Sequence, residues 1–227
     1  MLRIVLKIGG FAFAHQGTGR LLVSDYVRML RELSNEHHFV VVAGGGAVAR
    51  SYIQAARAME VPESLCDQLG ILVSRLNARL LADGLSDLAF PEIPTTISEL
   101  RHYYASGKLV VMGGLQPGHS TNAVACLAAE TVRANMFLNA TDVDGVYTTD
   151  PGKDQAAKRL EEVNVTQLAK ILSEKEMTAG GYELMDPIAL RIIERSKIPT
   201  IIMDGRDLAN VARAIKREKI GTRIVFS

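Results

Sequence analysis

A lysine stands near the end of an otherwise apolar run, Leu2-Arg3-Ile4-Val5-Leu6-Lys7-Ile8, and Gly9 and Gly10 follow at once. A buried strand tolerates an ammonium only where it is paired or aimed into a polar cleft. Lys7 is therefore a candidate cation for phosphate oxygens; taken alone it reads equally as an edge-strand lysine, as Arg3 does for arginine. The pattern of an apolar run stopped by glycine recurs at Ala43-Gly44-Gly45-Gly46 and at Met112-Gly113-Gly114. Glycine at the carboxyl end of a strand lets backbone N–H groups approach a ligand, and a helix that follows adds partial positive charge. Open α/β sheets bind ligands beyond those strand ends. Three such turns on one rim suit an anion with several phosphates, although any one of them is also an ordinary tight connection.

Spacing separates the phosphate-binding alternatives. No GxxxxGK[ST] run is present, so the ordinary P-loop is excluded. Gly44-Gly45-Gly46-Ala47-Val48-Ala49 satisfies G-x-G-x-x-[GA], which keeps a dinucleotide-binding oxidoreductase in view. That fold needs an acidic residue about 20 positions on, at the tip of the next strand. Asp67 has the spacing but lies in a helical stretch with no strand leading to it. Cys66 and Cys126 form no CxxC and read as core thiols. His37-His38 has no spacing partner for a metal, and Asp142-x-Asp144-Gly145 lacks the rest of a calcium loop.

The elements that must position these residues alternate. Strands are predicted at 2–8, 39–43, 109–112, 136–140, 200–203 and 223–226. The run at 39–43 is apolar throughout, as in a central parallel strand covered on both faces. Helical spacing is predicted over 23–35, 47–59, 62–83, 97–106, 121–133, 165–172, 187–195 and 208–217. In the 62–83 segment Leu65, Leu69, Leu72, Val73, Leu76 and Leu80 share one broad face. Asp144-Gly145 between apolar flanks predicts a hairpin. The alternation implies an α/β fold, a three-layer αβα sandwich with a mostly parallel central sheet. With 227 residues and no linker or repeat, the chain reads as one domain. Lys+Arg 26 against Asp+Glu 25 leaves a net charge of +1, which argues against a nucleic-acid partner. No apolar run is long enough to span a membrane. Lys7 inside the N-terminal apolar run argues against export, so a cytoplasmic location is expected.

Four segments then carry a resemblance: Lys7-Ile8-Gly9-Gly10; Gly44-Gly45-Gly46-Ala47-Val48-Ala49-Arg50; Gly113-Gly114-Leu115-Gln116-Pro117-Gly118-His119-Ser120-Thr121; and Thr141-Asp142-Val143-Asp144-Gly145-Val146-Tyr147-Thr148-Thr149-Asp150-Pro151. Together with Gly180-Gly181-Tyr182-Glu183-Leu184-Met185-Asp186-Pro187, which extends the match to nearly the whole chain, they are similar to the amino acid kinase family and most closely to its archaeal uridylate kinase branch. The GGxQPGHST loop points to that branch; the other motifs belong to the wider superfamily.

The resemblance implies transfer of the ATP γ-phosphoryl group to UMP in pyrimidine nucleotide biosynthesis, with ATP and Mg²⁺ as cofactors. It implies acceptor binding by about residues 1–135 and ATP binding by about 136–227. Lys7 and Asp186 are the expected catalytic residues. Lys7, Ile8, Gly9, Gly10, Gly46, Arg50, Thr141, Asp142, Tyr147 and Asp150 are the expected ATP contacts, with the Gly9 and Gly10 amides on the phosphates. Gly45, Asp67, Leu115, Gln116, Pro117, Gly118, His119, Ser120 and Thr121 are the expected UMP contacts, with Asp67 on the ribose. The metal ligands are unassigned. Asn122 stands where relatives often have aspartate and supplies no charge, which leaves Asp186 as the remaining carboxylate. The family is typically a homohexamer. A kinase for another small acid (an amino-acid carboxylate, carbamate or isopentenyl phosphate) is the alternative within the fold, and a non-enzymatic nucleotide sensor on the same fold, or a dinucleotide-binding oxidoreductase, is the alternative of a different class.

Overall fold

The computed structural model describes residues 1–13, 21–149, 154, 156–175 (174 and 175 by backbone alone) and 184–226. Asp150, expected near the nucleotide, and residues 180–183 of the segment that extends the resemblance lie outside the described residues. Seven strands form one sheet: β1 (Arg3–Ile8), β2 (His38–Ala43), β3 (Val110–Met112), β4 (Met136–Thr141), β5 (Glu162–Asn164), β6 (Thr200–Asp204) and β7 (Thr222–Val225). Their order is β3-β2-β1-β4-β6-β7-β5, parallel at every pairing except β6 with β7. β1 is thus a central strand, paired on both sides, and the edge-strand reading of Lys7 is closed by topology.

Among the described residues eight α-helices connect them: α1 (Val23–Leu33), α2 (Gly46–Ala58), α3 (Glu63–Leu85), α4 (Ile97–Tyr104), α5 (Thr121–Thr131), α6 (Val165–Lys175), α7 (Pro187–Ser196) and α8 (Ala209–Ile215). Alternation along the strands divides the core in two. Val5, Val40, Val42 and Phe137 pack with residues of α4, α5, α6 and α7. Ile4, Leu6, Ile8, Phe39 and Val41 pack with residues of α1, α3 and α8 on the other face. The three-layer sandwich expected from the alternating pattern is the architecture found.

One local expectation fails. Gly145 does not close a hairpin onto β4, whose neighbours are β1 and β6. Instead Leu160 N–H donates to the Val146 carbonyl at 2.8 Å, Thr148 N–H donates to the Lys158 carbonyl at 3.0 Å, and Tyr147 bridges Arg159. The glycine is required for another reason: its φ is +151°, and a Cβ there would lie 2.6 Å from the Thr222 Oγ1. That hydroxyl accepts from the Val146 N–H at 2.8 Å, so the turn is tied to β7.

The helix expected over 62–83 is found as α3, with its apolar row turned outward. Leu65, Leu72, Leu76 and Leu80 lie on its outer side, 55%, 53%, 68% and 49% exposed. The face toward the sheet is instead Cys66, Ile71, Ser74, Ala78, Leu81, Ala82 and Leu85, largely small residues. The reason is close approach: a Cβ on Gly113 would lie 2.6 Å from the Arg75 backbone nitrogen. At that point, around Ser74 and Arg75, the helix lies too near the strand end to leave room for leucine, and the larger Leu81 and Leu85 pack further along it.

Candidate active site

Because β3, β2, β1 and β4 are parallel neighbours, the turns at Gly113, Gly44, Gly9 and Asp142 share one rim of the sheet. The first two glycine turns touch. A Cβ on Gly10 would lie 2.1 Å from both Cα and N of Gly46, and Gly46 itself has φ +66°. Only glycine on both sides allows this contact. The two Gly-Gly pairs differ from the expected picture in where their N–H groups go. Gly9 N–H donates to the Ala140 carbonyl at 2.9 Å and Gly44 N–H to the Ile8 carbonyl at 2.9 Å, each extending the ladder by one residue. The Gly9 amide is therefore not an open phosphate donor, and its expected role passes to its neighbour. The Gly10 amide has no backbone acceptor among the described residues. The first-turn amides of α2, from Gly46 onward, have none within the helix. Donors so placed at a helix N-terminus can hold an anion, with the helix dipole behind them.

Lys7 lies just below this cradle, 8% exposed, at the penultimate position of β1. Its side chain rises on the α5 face, as Val5 does two residues earlier. At the start of α5, Ser120 caps the helix through Oγ, which accepts from the N–H groups of Asn122 at 3.0 Å and Ala123 at 3.1 Å. The same hydroxyl donates a short hydrogen bond to Asp186 Oδ2. Asp186 in turn caps α7: its Oδ1 accepts from Ile188 N–H at 2.9 Å and Ala189 N–H at 3.0 Å. Two helix N-termini thus meet through one serine–aspartate pair. Asp186 is an N-cap, and it is also joined to the acceptor loop by its second oxygen. Because the Ser120 hydroxyl is already spent on these bonds, Thr121 is the hydroxyl of the pair without such bonds. Cys126, one turn into the same buried helix, is no nucleophile: burial foremost, then the Asp186 carboxylate, pushes its thiol far above the usual range.

The loops expected to hold the acceptor are gathered by α3, through Asp67 and three residues that spacing did not single out. Ser74 Oγ accepts from Gly114 N–H at 2.8 Å. Arg75 donates to the carbonyls of Gly114 at 2.8 Å and Leu115 at 2.9 Å, and Asn77 donates to the Gly44 carbonyl at 2.8 Å. Asp67 Oδ2 accepts from Gly118 N–H at 2.8 Å. Four polar side chains of one helix hold two glycine turns and the tip of the Leu115–Thr121 loop. The signal available in the sequence was Ser74, a hydroxyl within the otherwise apolar inward stripe of the helix. Gln116, Pro117 and Gly118 at the loop tip are exposed, and His119 faces the Gln116 amide at 3.4 Å. Arg50 is exposed on the first turns of α2 with no hydrogen bond or ion pair among the described residues.

Beyond β4 the rim continues to β6. Thr141 ends β4 with its hydroxyl on Asp142 Oδ1 at 3.1 Å, and its carbonyl accepts from Gly205 N–H at 2.7 Å. Asp204, opposite Thr141 in register, is held below the usual carboxylate range chiefly by its hydrogen bond from Arg206. Asp142 is exposed. The Tyr147 hydroxyl donates to Asp144 Oδ1 at 2.9 Å, which raises the phenol above its ordinary value and ties the turn together. Tyr147 is therefore first a turn-holding residue. Among the described residues no three of His, Cys, Asp and Glu gather as a metal cage.

The model of the amino acid kinase family matches residues 2–204. The uridylate kinase of Methanobrevibacter smithii is 38% identical over 224 residues, 99% of each chain. That of Methanococcoides burtonii is 44% identical over 98% of this chain and 99% of its own. The crystal structure of uridylate kinase from Archaeoglobus fulgidus superposes with a TM-score of 0.87 at 36% identity, covering 99% of this chain and 100% of that one. The UMP kinase of Bacillus anthracis shares the fold at 20% identity and a TM-score of 0.78. From the glycine cradle to the end of β6, sequence and architecture agree, and the chain belongs to the amino acid kinase family, beside the archaeal uridylate kinases.

Proposed function

We propose that the chain is a uridylate kinase that moves the ATP γ-phosphoryl group onto UMP, giving UDP and ADP by direct in-line displacement. The observation that carries this reading is the contact of Gly10 with Gly46 above Lys7, with the acceptor loops tied to α3. The attacking oxygen belongs to a phosphate that is already anionic, so no general base is required. What the protein supplies is alignment and neutralisation of charge spread over the moving group. Lys7 provides the cation, and the Gly10 and α2 amides provide fixed dipoles. The first part of the chain, about 1–135, holds UMP, with Asp67 on the ribose, and about 136–227 holds ATP through Thr141 and Asp142.

Mg²⁺ enters as part of the ATP complex. A nucleotide-bound Mg²⁺ keeps waters and phosphate oxygens as most of its ligands, which suits a rim without a dedicated carboxylate cage. The outward row of Leu65, Leu72, Leu76 and Leu80 supports a homo-oligomer, since a monomer rarely exposes such a continuous apolar strip. No helix among the described residues is long and apolar enough to cross a membrane. We place the activity in the cytoplasm, in pyrimidine nucleotide synthesis.

An acceptor screen with ATP·Mg²⁺ tests the reading. UMP is expected to be turned over in preference to amino-acid carboxylates, carbamate and isopentenyl phosphate, and turnover of one of these without UMP would overturn it. Replacing Asp67 by alanine is expected to raise KM for UMP on the order of tenfold, the value of one charge-assisted hydrogen bond. KM for ATP should stay as it is; an equal rise in both would move Asp67 out of the acceptor site.

A further inference from the structure

The segment that leads from β3 to α5 begins with two peptides whose carbonyls are both held by one side chain. Arg75, half-buried on α3, donates from Nε to the Gly114 carbonyl at 2.8 Å and from Nη2 to the Leu115 carbonyl at 2.9 Å. The Gly114 N–H goes to Ser74 Oγ, so both polar backbone groups of Gly114 are held by adjacent residues of α3. Helix and turn are fitted to each other here: a Cβ on Gly114 would lie 2.9 Å from the Ile71 side chain. A guanidinium is a planar fork of fixed geometry. Bonded to two successive carbonyls, it sets the orientation of both peptide planes, which a single point donor cannot do. A trans peptide places its N–H opposite its carbonyl. With the carbonyls of Gly114 and Leu115 turned to α3, the N–H groups of the same two peptides, those of Leu115 and Gln116, face away from that helix. Neither has an acceptor among the described residues. Further along, the Gly118 N–H is taken by Asp67 and the His119 N–H by the Gln116 carbonyl at 3.3 Å. Across 115–119, Leu115 and Gln116 thus carry the open backbone donors.

We propose that Arg75 is a positioning residue for the acceptor: by holding two carbonyls on α3, it aims the Leu115 and Gln116 amides at acceptor atoms of UMP. UMP offers such atoms as uracil carbonyl and phosphate oxygens. Arg75 touches no part of the nucleotide and acts through the two peptides alone. Without the fork those peptides can rotate, and UMP must order them as it binds, a cost that falls on affinity rather than on the chemical step. Lysine is a point donor on a flexible stem and holds at most one of the two planes firmly. This inference rests on the uridylate kinase reading.

The test compares Arg75→Met, which keeps an unbranched stem, with Arg79→Met. Arg79, one turn on and exposed, makes bonds of the same kind to another segment, donating to the Pro91 carbonyl at 2.9 Å and to Asp83 Oδ2 at 3.1 Å. With saturating ATP, Arg75→Met is expected to raise KM for UMP roughly tenfold while kcat stays within about threefold, as loss of binding common to ground and transition states does. KM for ATP should stay within about twofold. Arg75→Lys should raise KM for UMP only about threefold, a partial rescue. Arg79→Met should leave KM for UMP within about twofold, whatever its melting temperature. Amide hydrogen exchange with UMP alone reads the same contact without turnover. At equal UMP occupancy, the Leu115 and Gln116 amides should slow in the unsubstituted chain and in Arg79→Met, and much less in Arg75→Met. An unchanged KM for UMP in Arg75→Met would overturn the proposal, as would equal rises in the two methionine variants or a parallel rise in KM for ATP. UMP turnover without slowing of these two amides would overturn it as well. Should Arg75→Met not fold, Arg75→Lys and the exchange of the unsubstituted chain decide. Failure of the kinase reading shows separately, as absence of UMP turnover by the unsubstituted chain, and exchange at Leu115 and Gln116 with UMP then decides the role of Arg75 alone.

Discussion

Alanine in place of Lys7 is expected to lower kcat by roughly 10²-fold or more, as removal of a single preorganised charge at a transition state does. The lysine is held on a central strand, 8% exposed, so its ammonium is largely withdrawn from water and acts at low local dielectric. Its share in UMP binding is expected to be small, because the loops expected to hold the acceptor are also tied to α3, which packs on the other face of the sheet. Calorimetric UMP affinity should therefore survive the substitution. A near-normal kcat would return Lys7 to a structural role, and loss of UMP binding would place it on the acceptor instead.

Gly10→Ala should be nearly as damaging, for a reason that is purely steric. The new methyl carbon would lie 2.1 Å from two backbone atoms of Gly46 and 2.9 Å from the Gly45 carbonyl carbon. No side chain can swing aside to relieve this, so the two turns must separate. Overpacking of this kind costs typically 1–3 kcal/mol of stability. A displacement of about 1 Å between reacting groups can cost on the order of 10² in rate. A lowered melting temperature together with at least that loss of kcat is the expected pair. A folded variant with ordinary kcat would show that the Gly10–Gly46 contact does not set the phosphate geometry.

The strand-end glycines, the placement of Lys7 and the layering are legible in the sequence because each follows from a short-range rule. Apolar runs of strand length ended by glycine have few other uses in an alternating chain. What escapes is what depends on a partner far along the chain. Leu65, Leu72, Leu76 and Leu80 are as apolar as any core row, and nothing local says that Gly113 brings the sheet too close for them to face it. Ser74, Arg75 and Asn77 gather the acceptor loops only because α3 runs beside β2 and β3. Gly113–Gly114 looks like the other two glycine turns, yet its glycines admit a helix backbone and an Ile71 side chain rather than the other glycine turn. The Asp144-Gly145 pair carries an ordinary hairpin signature, and Thr222, 77 positions beyond Gly145, decides otherwise.

The glycines that end β1, β2 and β6 each pass their N–H to the neighbouring strand, Gly9 to Ala140, Gly44 to Ile8 and Gly205 to Thr141. Measured by amide hydrogen exchange, these three should be protected like the strand interiors, with opening free energies near that of global unfolding. The Gly10 amide and the first turn of α2 have no such bond and should exchange rapidly in the free chain, then slow when an ATP analogue binds. Fast exchange at Gly9 and Gly44 would contradict this. The boundary between rigid support and open donor would then fall within a single dipeptide, between Gly9 and Gly10, so the phosphates meet a surface whose footing is already as slow to open as the core itself.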